Sequence, residues 1–173
     1  TADAAAHIAF SIQNNWMGNA AGTATEVWHN DGGSFSVSWT APLTTDATLD
    51  IAWGDYDNDG DLDLLLGNGG LGQSNKIYAN TNPGFALAWT SVEADITRGV
   101  AWVDIDGDGD LDHSAANDNS IRYYETYSGG VSLRISSLNA DSATKVCWAD
   151  YDRDGDLDQF YANKGTSSYL RET

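Results

Sequence analysis

Three short segments of the chain carry an aspartate at every second position and a glycine at the sixth. We call residues 55–63, 104–112 and 150–158 the first, second and third aspartate loops. Carboxylates this close repel one another unless a cation lies between them, and Ca²⁺ takes roughly six to eight oxygen ligands in flexible geometry. The spacing therefore predicts three calcium sites. The predicted metal-ligating residues are Asp55, Asp57, Asp59, Asp61, Asp63, Asp104, Asp106, Asp108, Asp110, Asp112, Asp150, Asp152, Asp154, Asp156 and Asp158.

The composition is that of an acidic protein with one domain. The chain has 173 residues, which suffice for one domain of ordinary size. Lys and Arg number 8 against 26 Asp and Glu, and the formal net charge is −18. The aspartate loops hold 15 of these acids. The charge argues against a nucleic-acid partner, which needs a basic face, and against anionic membrane surfaces.

Cysteine usage and calcium affinity bear on the compartment. Cys147 is the single cysteine, so the chain has no internal disulfide. Extracellular calcium modules work at about 10⁻⁴–10⁻³ M, which the cytosol does not reach, so we expect an extracellular or cell-surface location. No Lys or Arg precedes Lys76, which predicts a mature form or a fragment without a signal peptide. No apolar run is long enough for membrane insertion.

The aspartate loops belong to a longer repeat. Their first residues are 49 and then 46 positions apart, and each loop follows an apolar segment with a tryptophan at one register, Trp53, Trp102 or Trp148. The flanking segments are short, aromatic and β-branched, and bounded by Gly, Asn, Asp and Ser, which is typical of strands and turns. No stretch keeps helical periodicity. A period of roughly 40–50 residues with four strands predicts an all-β fold of four-stranded antiparallel β-propeller blades.

The loops also set the boundaries of the units. We name the strands of a unit A to D, with the aspartate loop between A and B. Residues 1–46 fit strands B to D of a partial blade without a calcium site, 47–95 and 96–141 fit complete blades, and 142–173 fit strands A to C of a second partial blade. The prediction is a single β-propeller-type domain of fourteen strands, with two complete and two partial blades.

The segment from Gly54 to Leu64 has the sequence GDYDNDGDLDL. It resembles the calcium blades of the FG-GAP/VCBS repeat family, which occur in integrin-type and bacterial surface propellers. The resemblance implies that side chains at the first, third, fifth and ninth loop positions coordinate Ca²⁺, and that the seventh position supplies its backbone carbonyl. The glycine at the sixth position permits a left-handed turn. Leu62, Leu111 and Leu157 are expected to point into the blade and anchor the loop.

Other proteins share this aspartate spacing. EF-hands and dockerins need an acidic residue at the twelfth position and flanking helices. Leu66, Ala115 and Tyr161 stand at that position, and the flanks predict strands. Thrombospondin-type loops come with little sheet. Solvated Asx turns without a metal are the simplest alternative, and three copies with matched flanks argue against it.

The aromatic residues divide into two groups. Trp39, Trp53, Trp89, Trp102 and Trp148 recur at equivalent registers, so we expect them to pack between blades. Trp16 lies in a Gly/Asn-rich segment and is expected to be exposed. The remaining candidates for a sugar-binding face are Tyr123, Tyr124, Tyr127 and Tyr161.

The sequence offers no catalytic motif. His7, His29 and His113 lie in unrelated contexts without a nucleophile, and we expect surface or turn positions for them. Cys147 lies in a predicted A strand and is expected in the core. Bound calcium would hold the aspartates ionised and occupied, which excludes them as acid and base. The chain is therefore predicted not to be an enzyme.

The predicted function is that of a non-catalytic, extracellular, calcium-stabilised module for adhesion or structural assembly. Partial blades leave exposed edges that can pair with a neighbour. Self-association into a ring or a filament is therefore expected, although a fragment of a longer propeller is an alternative. Protein or glycan ligands fit an adhesion module. The alternative functions are a carbohydrate-binding lectin and a non-catalytic domain of a larger surface enzyme.

Overall fold

The computed structural model describes residues 7–10, 24–42, 46–128, 130–137, 142–164 and 169–171. This part of the chain holds fourteen strands and no helix, hence no helix that could cross a membrane. The strands are β1 (His7–Phe10), β2 (Glu26–Asn30), β3 (Phe35–Thr40), β4 (Thr48–Gly54), β5 (Asp63–Asn68), β6 (Lys76–Asn80), β7 (Phe85–Thr90), β8 (Thr97–Val103), β9 (Asp112–Asn117), β10 (Ile121–Tyr127), β11 (Gly130–Ser137), β12 (Ala143–Ala149), β13 (Asp158–Asn163) and β14 (Tyr169–Arg171).

The strands form four antiparallel sheets in which each strand pairs with its neighbour in sequence. The first sheet is β1-β2-β3, the second β4-β5-β6-β7, the third β8-β9-β10-β11 and the fourth β12-β13-β14. Three, four, four and three described strands follow the predicted order of fourteen, so the all-β prediction is confirmed. The boundaries of the four units stay a prediction. Closure into a propeller ring stays a prediction.

The second strand of each middle sheet is buried on both faces. All six residues of β5 are buried, and so are all six of β9. Successive side chains on a strand point to opposite faces. Leu64 and Leu66 therefore contact the first sheet, whereas Leu65 contacts the third. This explains why Leu64, Leu65 and Leu66 are apolar in succession rather than alternating with polar residues.

Three apolar clusters hold the sheets together, one at each junction between successive sheets. Val27 of the first sheet packs on Leu64, Leu66 and Tyr78 of the second. The second and third sheets meet through a cluster of Leu65, Ile77, Val100, Ala115 and Tyr124. The third and fourth meet through a cluster of Ala116, Ile121, Tyr123, Ala143, Val146 and Tyr161. The sheets therefore pack in chain order.

The repeated tryptophans lie at these junctions, as predicted. The Trp39 ring lies 5.1 Å from the ring of Phe85 in the next sheet. The Trp89 ring lies 5.2 Å from that of Tyr124 in the next sheet. Trp102 and Trp148 also reach the preceding sheet with their indole N–H groups. Their recurrence in sequence thus reflects two packing positions, one on the first strand and one on the last strand of a sheet.

The first strands of the second, third and fourth sheets converge closely. A β-carbon on Gly99 of β8 would lie 2.9 Å from the Cα of Lys145 in β12, so only glycine fits there. Asp50 of β4 joins the same three strands, because its carboxylate accepts the Val100 N–H at 2.9 Å and pairs with Lys145. These contacts hold together the three strands that precede the aspartate loops.

Candidate metal centres

Each aspartate loop connects the first two strands of a sheet. The first runs from β4 to β5, the second from β8 to β9 and the third from β12 to β13. The ninth loop residue is also the first residue of the following strand. Pairing of the two strands therefore brings both ends of the loop together at one edge of the sheet.

Three carboxylates converge in each loop, with ligand oxygens all within 4.8 Å of one another. The clusters are Asp55, Asp57 and Asp63; Asp104, Asp106 and Asp108; and Asp150, Asp152 and Asp158. The first and third positions take part in all three clusters. The ninth position joins them in the first and third loops, and the fifth position does so in the second. Oxygen-only donors of this kind suit a hard cation.

The carboxylate at the first position organises the turn. In the first loop Asp55 accepts the N–H groups of Asp59 at 3.1 Å and Gly60 at 3.0 Å. The equivalent Asp104 and Asp150 each accept two backbone N–H groups of their own loops. The glycine at the sixth position has a φ of 94° in the first and second loops and 100° in the third. That left-handed conformation explains the repeated glycine.

The fourth loop position is also left-handed, which the sequence analysis missed. Asn58 has a φ of 58°, Gly107 a φ of 73° and Arg153 a φ of 66°. Glycine and asparagine adopt this region most readily, whereas arginine is strained there. Asn58 and Gly107 at the fourth loop position could have indicated a left-handed conformation there, but Arg153 in the third loop does not fit that pattern.

The aspartate at the ninth position ties the loop to the sheet. Asp63 is fully buried, and its two oxygens accept the N–H groups of Tyr56 at 3.0 Å and Asn80 at 2.8 Å. Asp112 repeats this pattern with Ile105 and Thr126, at 3.0 and 2.8 Å. These carboxylates thus link the start of the loop to the third strand of the same sheet.

The seventh-position side chains lie outside the clusters. Asp110 accepts a 2.7 Å hydrogen bond from the side-chain amide of Asn58 in the preceding loop. The Asp61 and Asp156 carboxylates have no hydrogen-bond partner among the described residues. The fifth-position carboxylates of Asp59 and Asp154 accept the N–H two residues ahead and also lie outside the clusters.

The electrostatics of the loops favour a bound cation. Burial raises the pKa of the Asp57 carboxyl group, and the neighbouring Asp59 and Asp55 carboxylates raise that pKa further. Burial likewise raises the pKa of Asp63 and Asp112, although the backbone N–H groups that they accept oppose the shift. Negative charge in these loops is thus only partly compensated by the protein. A divalent ion would reverse these pKa shifts.

The leucines at the eighth position do not all anchor the loops. Leu62 is 56% exposed and Leu157 is 37% exposed, so the expectation that they point into the blade was wrong. Leu111 is partly buried, and it packs against the backbone of Gly54 in the preceding sheet. The neighbouring sheet, rather than the loop itself, therefore decides whether this leucine is covered.

Several other expectations were also wrong. His113 is fully buried in β9, stacked on Tyr124 at a centroid distance of 4.6 Å, and is not a surface residue. Cys147 is exposed rather than in the core. Tyr123, Tyr124 and Tyr161 belong to the core clusters and offer no binding face, whereas Tyr127 is exposed. Trp16 and His7 fall outside the residues whose side chains are described.

Comparison with known proteins bears on the origin of these loops. The comparison with curated protein sequences found no match. A family model described as FG-GAP-like repeat matches residues 10–66 and 104–161, more than half of the chain. The two matched segments contain all three aspartate loops. The repeated sheets, the recurring loops and this match together show that the chain belongs to the FG-GAP-like repeat family.

Proposed function

We propose that this chain is a non-catalytic, extracellular module of propeller-type blades, stabilised by three calcium ions and used for adhesion or structural assembly. One observation carries the proposal: a cluster of three carboxylates recurs in the corresponding loop of three successive sheets, each with oxygens within 4.8 Å of one another. Structural calcium fits this arrangement because the ion would replace repulsion between carboxylates by attraction.

The family supports this proposal. FG-GAP repeats are typical of extracellular adhesion-type proteins, are generally structural or adhesion modules rather than enzymes, and often bind calcium. In this chain the clustered carboxylates would hold the ion, while the left-handed glycines allow the backbone to surround it. Bound calcium would supply positive charge at the junction of the first two strands.

The energetic contribution of three such sites is comparable with the stability of a domain. At free calcium ten times Kd, one site adds about 1.4 kcal/mol to the free energy of unfolding. Three sites add about 4 kcal/mol, against a typical total of about 5–15 kcal/mol. Calcium would therefore act as a structural element.

Calorimetric titration and thermal unfolding test the calcium proposal. We expect about three Ca²⁺ ions per chain and a lower Tm in a chelator than in millimolar calcium. The variants D55N, D104N and D150N should each remove one binding site, because each loses the first-position carboxylate of one loop. D156N is the matched control, since its side chain lies outside the clusters. No calcium binding by the folded chain would contradict the proposal.

An uncovered face on the fourth sheet supports self-association. Phe160 is 44% exposed and pairs with the exposed Cys147. At the same register the second and third sheets have Leu65 and Ser114, both fully buried beneath the following sheet. Phe160 and Cys147 thus expose apolar side chains at a position that a neighbouring sheet covers in the second and third sheets. This favours contact with a further blade, which a second copy of the chain can supply.

Sedimentation velocity in calcium tests self-association. We expect a concentration-dependent increase in sedimentation coefficient that F160S reduces. The substitution places at this register the residue that the third sheet carries, so the sheet itself should tolerate it. F35S changes an exposed apolar residue of β3 and controls for general loss of hydrophobicity. A monomer at high protein concentration would contradict self-association without affecting the calcium proposal.

A further inference from the structure

A cavity opens between the first and second sheets, beside the first aspartate loop. Its volume is about 680 Å³, which lies in the usual range for ligand pockets of roughly 300–1,000 Å³. Aromatic rings from both sheets line it, together with polar groups of the loop and of the turn that follows β6. The residues that matter here are Trp39, Trp53, Phe85, Asp61, Leu62 and Asn82.

Two indole N–H groups in this cavity lack hydrogen-bond partners among the described residues. Trp39 and Trp53 are the residues concerned. The other four tryptophans whose side chains are described all donate: Trp28 to Glu26, Trp89 to Val131, Trp102 to Ala52 and Trp148 to Ser114. The two free donors are thus found together at one junction.

The equivalent tryptophans of the next two sheets both have a hydrogen-bond acceptor that Trp53 lacks among the described residues. Trp53, Trp102 and Trp148 occupy the same place on the first strand of their sheets. Trp102 donates at 3.3 Å to the carbonyl of Ala52 in the preceding sheet, and Trp148 donates at 3.0 Å to Ser114 Oγ in the preceding sheet. The described part of the first sheet has no strand equivalent to β4, which carries the acceptor of Trp102. Trp53 has no acceptor among the described residues.

Trp39 differs in the same way from Trp89, its equivalent in the second sheet. Trp89 donates at 3.2 Å to the carbonyl of Val131 in the next sheet. Phe85 occupies the position of Val131, but Trp39 contacts the Phe85 ring instead of donating to the Phe85 carbonyl. Trp39 lines the cavity, packed on the rings of Tyr78 and Phe85, and its N–H group has no acceptor among the described residues.

Acceptors line the same cavity. The Asp61 carboxylate has no partner in the part of the chain that is described, whereas its equivalent Asp110 accepts the Asn58 amide at 2.7 Å. No loop precedes Asp61 in the described first sheet to provide an equivalent amide. The Asn82 side chain is exposed and likewise has no partner among the described residues. The cavity thus combines aromatic faces, two N–H donors, a carboxylate and an amide.

We propose that this cavity binds a neutral carbohydrate. A sugar ring offers an apolar C–H face for the indole rings, and hydroxyl groups that both accept from N–H donors and donate to a carboxylate or amide. Asp61 and the net charge of −18 disfavour an anionic ligand. The site goes beyond the structural role proposed for calcium, although Asp61 and Leu62 belong to the first aspartate loop.

A glycan array probed with the full chain in calcium is the first test. The array should carry neutral oligosaccharides ending in mannose, galactose, N-acetylglucosamine or fucose, next to sialylated and sulfated ones. We expect binding among the neutral glycans only. Absence of binding to every neutral glycan at millimolar concentration, or binding of the acidic glycans alone, would overturn the proposal, whereas calcium binding by the same sample would leave the calcium proposal standing.

Matched tryptophan variants then locate the site. W39F and W53F keep an aromatic ring but remove an N–H group that has no partner among the described residues. Each variant should therefore lower the affinity for the glycan roughly fivefold to tenfold, with little change in Tm. W89F and W102F stand at the same registers in the next sheets, and should lower Tm while leaving glycan affinity unchanged. Equal loss of affinity in all four variants would contradict the location.

Substitution of Asp61 tests the same site independently, without disturbing the packing of the aromatic rings. D61N replaces an exposed carboxylate by an amide and should weaken glycan binding by about tenfold, because a charged acceptor bonds more strongly than a neutral one. D156N makes the same change at the equivalent position of the third loop and should have no effect. Equal affinities for D61N and D156N in titration calorimetry would exclude Asp61 from the site.

Discussion

The side-chain amide of Asn58 in the first aspartate loop donates a 2.7 Å hydrogen bond to the carboxylate of Asp110 in the second. Asn58 has a φ of 58°, and its side chain reaches the loop of the next sheet. The bond crosses from one candidate metal centre to the next. Ordering of one loop should therefore favour ordering of its neighbour.

The variant N58G tests this coupling. Glycine retains the left-handed conformation and already occupies the equivalent position as Gly107, so the variant removes only the amide. We expect the free energy of unfolding in calcium to fall by about 0.5–1.5 kcal/mol. R153G, at the same position of the third loop, should instead gain about 1 kcal/mol, because arginine is strained at a φ of 66°. Urea denaturation measures the free energy of unfolding of both variants. Equal changes in N58G and R153G would contradict the coupling between the loops.

A second prediction concerns the buried aspartates at the ninth position. Asp112 accepts two backbone N–H groups, from Ile105 and Thr126, and asparagine has only one acceptor oxygen. D112N should therefore cost about 1–3 kcal/mol even in a chelator. The surface variant D156N should change stability by less than about 0.5 kcal/mol. If D112N is as stable as the wild type in chelator, Asp112 acts only through the metal.

A third prediction concerns pH and His113. Burial among aromatic rings lowers the pKa of this histidine to about 3, from 6.5. Between these values the unfolded chain binds a proton that the folded chain does not. The histidine's contribution is therefore fully present above about pH 6.5 and is lost as pH falls, by about 1.4 kcal/mol per pH unit.

The variant H113L removes this titration. Leu64 occupies the same register in the second sheet, so leucine suits the site. The two imidazole nitrogens of His113 lack hydrogen-bond partners among the described residues, and their removal should raise stability by about 1–3 kcal/mol. The gain over the wild type should grow as pH falls below about 6.5. Parallel curves for H113L and wild type would refute the assignment.

The fourth prediction concerns competition between calcium and protons. The pKa values of Asp57, Asp63 and Asp112 are raised above 3.8, mainly by burial. Without metal, these groups favour the folded state below their unfolded pKa, and this contribution is lost as pH rises through the folded pKa. Calcium needs the ionised form, so its stabilisation should be full at neutral pH and lost as pH falls toward these values.

Paired thermal scans in calcium and in chelator measure this effect between about pH 7.5 and pH 4. The difference in Tm between the two conditions should shrink as pH falls. H113L provides a useful background, because its own histidine titration is gone while the three loops are intact. A Tm difference between calcium and chelator that stays constant over this pH range would contradict a role in metal binding for the carboxylates whose pKa is raised.

Features set by local chemistry could be predicted from the sequence. Gly60, Gly109 and Gly155 indicate left-handed turns, because a residue with a side chain would be strained there. The repeated tryptophans indicate two packing positions, because side-chain size and strand alternation are local properties. The left-handed position of Arg153 escaped prediction, since arginine carries no preference for that conformation.

Features that depend on a neighbouring sheet could not be predicted. Leu62 and Leu111 occupy the same loop position, yet only Leu111 is packed against a preceding sheet's Gly54. Cys147 and Phe160 resemble core residues, but no described sheet covers them. Burial depends on which surface lies opposite, and one strand's sequence does not contain that information.

The sequence by itself thus determined the strands, the three aspartate loops and the family, because each rests on residue types at short, repeated spacings. The tertiary structure alone decided that His113 is buried and that Asn58 reaches Asp110. It also decided that Trp39 and Trp53 line one cavity, with N–H groups that have no partner among the described residues. Those relationships join residues on different sheets. Equivalent residues acquire different partners wherever the neighbouring sheet differs, and the packing of sheets therefore creates the individual sites within a repeated chain.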